Sequence, residues 1–206
     1  MTTTPTPAEA WNDMVLGNER FIAGAPEHPR QDAERRAELA KKQAPHAALF
    51  GCSDSRLAAE IIFDKGIGDL FVVRNAGQVI SSSVIGSLEY AVGVLGVPLI
   101  VVLGHDECGA VMAAINSQAP DAPTLPPHIT NLISKIVPAV TRVKAEHETV
   151  DSQDVGREHL RDTIAELLDS SELISDAVAA GTLAVVGANY RLVEGRAVPD
   201  VKIGQL

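Results

Sequence analysis

The run Pro98-Leu99-Ile100-Val101-Val102-Leu103-Gly104 is apolar at every position. A strand with one wet face alternates apolar and polar residues. A strand that is apolar throughout is buried on both faces, as in a parallel sheet covered by helices. Residues 46–51, 70–73 and 183–187 are shorter runs of the same kind, and 196–203 reads as a final edge strand. Helical periodicity fills the gaps between them. Val84, Leu88, Ala91, Val92 and Leu95 recur at helical spacing over 83–95, and further helices are expected over 109–117, 128–146, 155–168 and 172–180. A short helical turn is expected over 58–63. Strands alternating with helices imply right-handed βαβ units, so the fold class is α/β, with a mostly parallel central sheet flanked by helices. Hydrophobic residues make up 46% of the chain but aromatics only 3%, which leaves Val, Ile, Leu and Ala to build the core.

At 206 residues the chain fits one domain spanning 1–206, with 1–7 expected to be disordered. Trp11, Met14, Val15, Leu16 and Phe21 mark a helix over 7–23. The Gly- and Pro-containing stretch 24–30 ends it, and 32–42 reads as a second, mostly polar helix. These N-terminal helices are expected to pack on a partner subunit. The four prolines of 119–127 mark a loop.

A net charge of −10 argues against nucleic acid and anionic membrane as partners. The longest apolar run, 90–103, is broken by Gly93, Gly96 and Pro98 and is too short to span a bilayer. The first residues lack the basic and apolar regions of a secretion signal, so a cytoplasmic location is expected.

Only two cysteines occur, too few for a disulfide framework. Cys52 lies in Gly51-Cys52-Ser53-Asp54-Ser55-Arg56, just past the first strand. His105 and Cys108 lie in Gly104-His105-Asp106-Glu107-Cys108-Gly109, just past the 98–104 strand. A single Cys52–Cys108 disulfide is the plain alternative, but it leaves the flanking Asp, Arg and His unexplained. Ligands of open α/β sheets bind beyond the carboxyl ends of the strands, so the topology brings both segments to one sheet edge. Two thiolates and one imidazole make a Cys2His set. Three protein ligands with one open position are the pattern of catalytic rather than structural zinc. Water in that open position loses its proton more readily, which makes hydroxide available at neutral pH.

The pattern Cys52-x-Asp54-x-Arg56 followed by His105-x-x-Cys108 resembles the β-class carbonic anhydrases. The similarity continues through Phe71-Val72-Val73-Arg74-Asn75-Ala76-Gly77 and Ser87-Leu88-Glu89-Tyr90-Ala91-Val92 and covers roughly 35–195. The resemblance implies reversible hydration of carbon dioxide to bicarbonate and a proton, through attack by zinc-bound hydroxide. It implies one Zn2+ per chain on Cys52, His105 and Cys108, and assembly as homodimers or tetramers. Asp54 and Arg56 match the family's catalytic carboxylate–guanidinium pair, with Asp54 a zinc ligand only in a closed form. Gln43, Phe71, Ala76, Tyr90 and the Gly109 N–H match a substrate pocket. Arg74 and Tyr190 match two residues of a bicarbonate pocket found in part of the family, but Leu49 stands where its Trp would be. An open site at neutral pH is therefore expected.

Two other functions fit parts of the pattern. A hydrolase acting on carbonyl sulfide or carbon disulfide would use the same ligands. A non-catalytic zinc protein would hold Asp54 permanently on the metal. Taken singly, His28, His46, His128, His147 and His159 have no partner motif and read as surface or structural residues.

Overall fold

The structure is a computed structural model that describes residues 5–206. It contains five strands in the order β2-β1-β3-β4-β5: β1 (Ala47–Cys52), β2 (Leu70–Asn75), β3 (Leu99–His105), β4 (Ala184–Arg191) and β5 (Arg196–Ile203). The first four are parallel and β5 runs antiparallel on β4. Every residue of β1 and β3 is buried, as their unbroken apolar sequences require.

The helices are α1 (Pro7–Ile22), α2 (Ala33–Leu39), α3 (Ala59–Ile62), α4 (Ser82–Gly93), α5 (Gly109–Asn116), α6 (Pro127–Ile133), α7 (Val137–Glu146), α8 (Ser152–Ser170) and α9 (Glu172–Ala179). They cover both sheet faces and divide the core in two. Leu49, Val101, Leu103 and Val186 pack on one face with residues of α1, α5 and α7. Phe50, Ile100, Val102 and Val185 pack on the other with α4, α8 and α9. Among the described residues no helix is long and apolar enough to cross a membrane.

Three expectations need correction. Residues 1–4 lie outside the described residues, but the end of the expected disordered tail is ordered. Thr6 accepts a hydrogen bond from the Glu9 N–H while the Glu9 carboxylate accepts from the Thr6 N–H, and Pro7 opens α1. The helix expected over 128–146 is two helices, α6 and α7, separated at 134–136 just before Pro138, which cannot extend an existing helix. The fourth strand runs four residues beyond 187, to Arg191, and so reaches the level of His105.

The first helix packs on its own chain, burying Ala10, Trp11 and Met14. Its Asn18 donates to the Ile62 and Gly195 carbonyls and accepts from the Ala197 N–H, tying α1 to α3 and β5. By contrast α2 buries none of its residues.

Candidate metal centre

The connection from β1 leads outward to β2, and the next crosses back over β1 to place β3 on its other side. The crevice between the ends of β1 and β3 is thus the point where the winding reverses, the place where such sheets bind ligands. Cys52 is the last residue of β1 and His105 the last of β3. The chain then makes one turn, with Glu107 at positive φ, and Cys108 caps the N-terminus of α5.

These three side chains are buried, and their ligand atoms lie within 4.8 Å of one another. His105 Nδ1 sits 2.7 Å from the Asp106 carbonyl oxygen. A carbonyl only accepts, so Nδ1 carries the proton and Nε2 offers its lone pair. That Nε2 is buried and has no hydrogen-bond partner. An orphaned imidazole nitrogen facing two sulfurs is what a metal position looks like from the protein side. Two thiolates and one imidazole suit zinc, and the residues therefore fit that ion.

The electrostatics favour thiolate at Cys52. A hydrogen bond from Cys108 outweighs burial and lowers its pKa, and the Gly77 N–H adds to the effect. The Cys108 thiol moves upward, because its proton is held by Cys52 and because it is buried; the N–H groups of Val111 and Ala110 offset this in part. Burial lowers the affinity of His105 for a proton, but the adjacent charge of Cys52 and the Asp106 carbonyl prevail and raise it.

Asp54 does not join the cluster. Arg56 grips its carboxylate with two hydrogen bonds, Nε to Oδ1 at 2.9 Å and Nη2 to Oδ2 at 2.7 Å, and the Arg56 N–H adds a third at 2.9 Å. The Arg56 guanidinium holds the carboxyl well below the usual range, so it stays ionised. A further bond from Arg56 Nη2 to the Glu107 carbonyl, 3.2 Å, joins the two ligand-bearing loops.

Arg74 makes structural contacts within its own chain. It donates to the carbonyls of Cys52 at 2.9 Å and Asp54 at 2.7 Å, bracing the turn that carries the ligand. Leu49 and Tyr190 are both buried among apolar residues. Asp106 accepts from the Leu192 N–H, fastening the His105 turn to the end of β4. Glu89 is half-buried and accepts from Ser171 Oγ.

The five substrate-pocket residues divide. Ala76 and Gly109 line an apolar cavity of about 400 Å3 beside the cluster, with Ala110, Ala113, Ile129 and Leu132. Gly109 is the first residue of α5, where no carbonyl of the helix accepts its N–H. Gln43, Phe71 and Tyr90 lie elsewhere in the chain. Phe71 is in register with Ala48, four residues before Cys52 on β1. At the usual rise per residue that is roughly 13 Å along the strand. Its ring tilts against that of Tyr90, centroids 6.2 Å apart, and Tyr90 is 45% exposed. Gln43 is exposed in the segment leading into the opposite end of β1.

An open α/β sheet with a buried Cys2His cluster at its winding reversal defines the class of protein. The carbonic anhydrase family model matches residues 47–197. The chain is 50% identical over 202 residues to Carbonic anhydrase 2 of Mycobacterium tuberculosis, covering 97% of this chain and 96% of the relative. It is 48% identical over 192 residues to the carbonic anhydrase of Mycolicibacterium smegmatis, with 92% and 91% covered. A tetrameric β-carbonic anhydrase of the ascomycete Sordaria macrospora superposes with a TM-score of 0.73 at 25% identity, covering 92% of this chain and 96% of that one. The chain belongs to the β-carbonic anhydrases and is an enzyme of the lyase class.

Proposed function

We propose that this chain catalyses the reversible hydration of carbon dioxide to bicarbonate and a proton, with one Zn2+ held by Cys52, His105 and Cys108. The observation that carries the reading is the buried, orphaned His105 Nε2 facing two cysteine sulfurs, with Asp54 clamped beside them by Arg56. Zinc would supply a Lewis acid that makes hydroxide available near neutral pH. The rest falls to the chain's own groups. The Asp54 carboxylate, ionised and acceptor-only, orients the attacking hydroxyl by accepting its hydrogen bond. Arg56 fixes Asp54 in that position and off the metal, which corresponds to the open form. The apolar cavity lined by Ala76 suits carbon dioxide, which carries no charge, and the Gly109 N–H is placed to hydrogen-bond an oxygen of bicarbonate.

The positions of Gln43, Phe71 and Tyr90 bear on assembly. If they serve the substrate pocket, a second copy must bring them there, since its own zinc cluster lies at the other end of each chain's strands. We therefore assign the active form to a homodimer or a tetramer with composite sites. The largely exposed α2 is available for the partner contact expected of the N-terminal helices. A single 1–206 domain acting in the cytoplasm completes the reading.

Stopped-flow hydration of carbon dioxide with a pH indicator, on protein of measured zinc content, tests it. Turnover that scales with bound zinc is expected. Zinc-loaded protein without turnover from about pH 6.5 to 9 would sink the proposal.

A further inference from the structure

The catalytic residues leave one buried histidine unused. His159 lies on α8, is 2% exposed, and places Nε2 2.7 Å from the Gly77 carbonyl oxygen. The carbonyl can only accept, so Nε2 carries the proton. Nδ1 has no hydrogen-bond partner. Burial lowers the affinity of the ring for a second proton, in keeping with a neutral imidazole that donates once.

What this bond holds is the turn behind the metal cluster. The Gly77 N–H points the other way and donates to Cys52 Sγ at 3.3 Å. Gly77 has φ +76°, and a Cβ there would come within 2.8 Å of the Ala110 Cβ and 3.1 Å of the Ile136 Cδ1. Gln78 follows at φ +41°, a conformation that residues with a side chain rarely adopt. Gly77 adopts positive φ freely, but Gln78 there is strained and persists only when its surroundings hold it. Here α8 supplies the hold, for one helical turn beyond His159 the Thr163 hydroxyl shares its single proton between the His159 carbonyl at 2.8 Å and the Gln78 carbonyl at 3.3 Å. Asn75 closes the turn at its base, with its side chain bonded to both the N–H and the C=O of Val79.

We infer that His159 is a positioning residue for the Cys52 thiolate, acting through Gly77, and so sets the metal affinity of the cluster from outside it. The inference rests on the zinc-site reading above. An amide N–H directed at a thiolate stabilises the sulfur lone pairs, and groups of this kind behind metal ligands typically tune affinity tenfold to a hundredfold.

The experiment uses His159→Phe, which fills the space without a donor, and His159→Gln, which keeps an N–H donor of similar reach. Each is purified as the full chain, freed of metal, and titrated with Zn2+ against a competing chelator and with Co2+ followed by its thiolate charge-transfer absorption. His159→Phe is expected to bind both metals on the order of tenfold to a hundredfold more weakly. Its charge-transfer band should move to longer wavelength, because an unbonded thiolate gives up an electron more readily. His159→Gln should recover part of both changes. Thr163→Val, which removes only the outer anchor, should move both readouts the same way by less, and it serves if His159→Phe fails to fold. Folded His159→Phe with wild-type metal affinity and an unshifted band would overturn the inference. So would an unshifted Thr163→Val if His159→Phe cannot be obtained. Wild-type chain that takes up neither metal would instead remove the zinc-site reading beneath it.

Discussion

At the scale of single residues, the buried Cys52–His105–Cys108 cluster stands apart from the ion-paired Asp54 and Arg56. Cys52, His105 and Cys108 converge, and His105 Nε2 has no hydrogen-bond partner among the described residues. Asp54 is turned away and doubly bonded to Arg56. Substitutions should expose the difference. Cys108→Ala is expected to lose zinc and activity together, read as metal content and turnover on one preparation. Arg56→Ala should keep its zinc while kcat/KM falls on the order of tenfold to a hundredfold, because the freed carboxylate no longer holds its orientation and is free to swing to the metal. Wild-type kcat/KM in Arg56→Ala would refute the pairing as a functional device. The ligands, and Asp54 with Arg56, were legible in the sequence because their chemistry depends on residue type and short spacing. The role of Arg74 was not. An arginine that braces two carbonyls leaves no mark in sequence, since its partners are backbone atoms. His159 was hidden for the same reason: it reads as an isolated histidine, and the carbonyl it meets belongs to a residue 82 positions away.

At the scale of elements, the arm formed by α1 and the loop after it is locked onto the domain by two devices. One is close approach. A Cβ at Gly17 would sit 1.9 Å from the Phe63 carbonyl oxygen, so only glycine lets α1 lie against α3. Gly17→Ala should push the helix off and cost about 1–3 kcal/mol in urea unfolding, even though alanine favours helix. An unchanged midpoint would show that α1 is loosely seated. The other is Asp64, 2% exposed, which accepts from Arg20 Nε at 2.6 Å and from the Glu27 and His28 N–H groups, each at 3.0 Å. Burial alone would raise its pKa, but the Glu27 N–H, Arg20 and the His28 N–H prevail and hold it below the ordinary carboxylate value. A depressed folded-state pKa gives stability that is present above the unfolded value of about 3.9 and is lost as pH falls below it. Asp64→Asn should therefore destabilise the chain at pH 6 and flatten the loss of stability as pH falls below about 4. A parallel acid profile in the variant would rule the carboxylate out as a contributor. The elements themselves followed from periodicity and apolar runs. Their ends did not, because the break between α6 and α7 and the extension of β4 depend on what the backbone meets in space.

For the whole molecule, one chain brings together the whole Cys52–His105–Cys108 cluster but only part of the expected substrate pocket. Composite sites make a prediction that a self-sufficient chain does not. Phe71→Ala and Arg56→Ala homo-oligomers should each be impaired, whereas co-expressed hetero-oligomers should regain activity, because one of the two sites in a mixed pair then has both halves intact. Activity in the mixture no higher than the average of the two parents would place Phe71 outside the site.

Taken alone, the sequence was enough to indicate the α/β class, the parallel order implied by a strand apolar on both faces, the Cys52–His105–Cys108 cluster and the Asp54–Arg56 pair. Those properties rest on side-chain type and near-neighbour spacing, which a chain carries before it folds. Only the tertiary structure decided that the ligands meet at the reversal between β1 and β3, and that Arg74 and His159 work through backbone carbonyls. The same is true of the finding that Gln43, Phe71 and Tyr90 lie away from the metal centre of their own chain. These facts depend on strand register and helix docking, which bring together groups from distant parts of the chain whose contacts are set by the packed core.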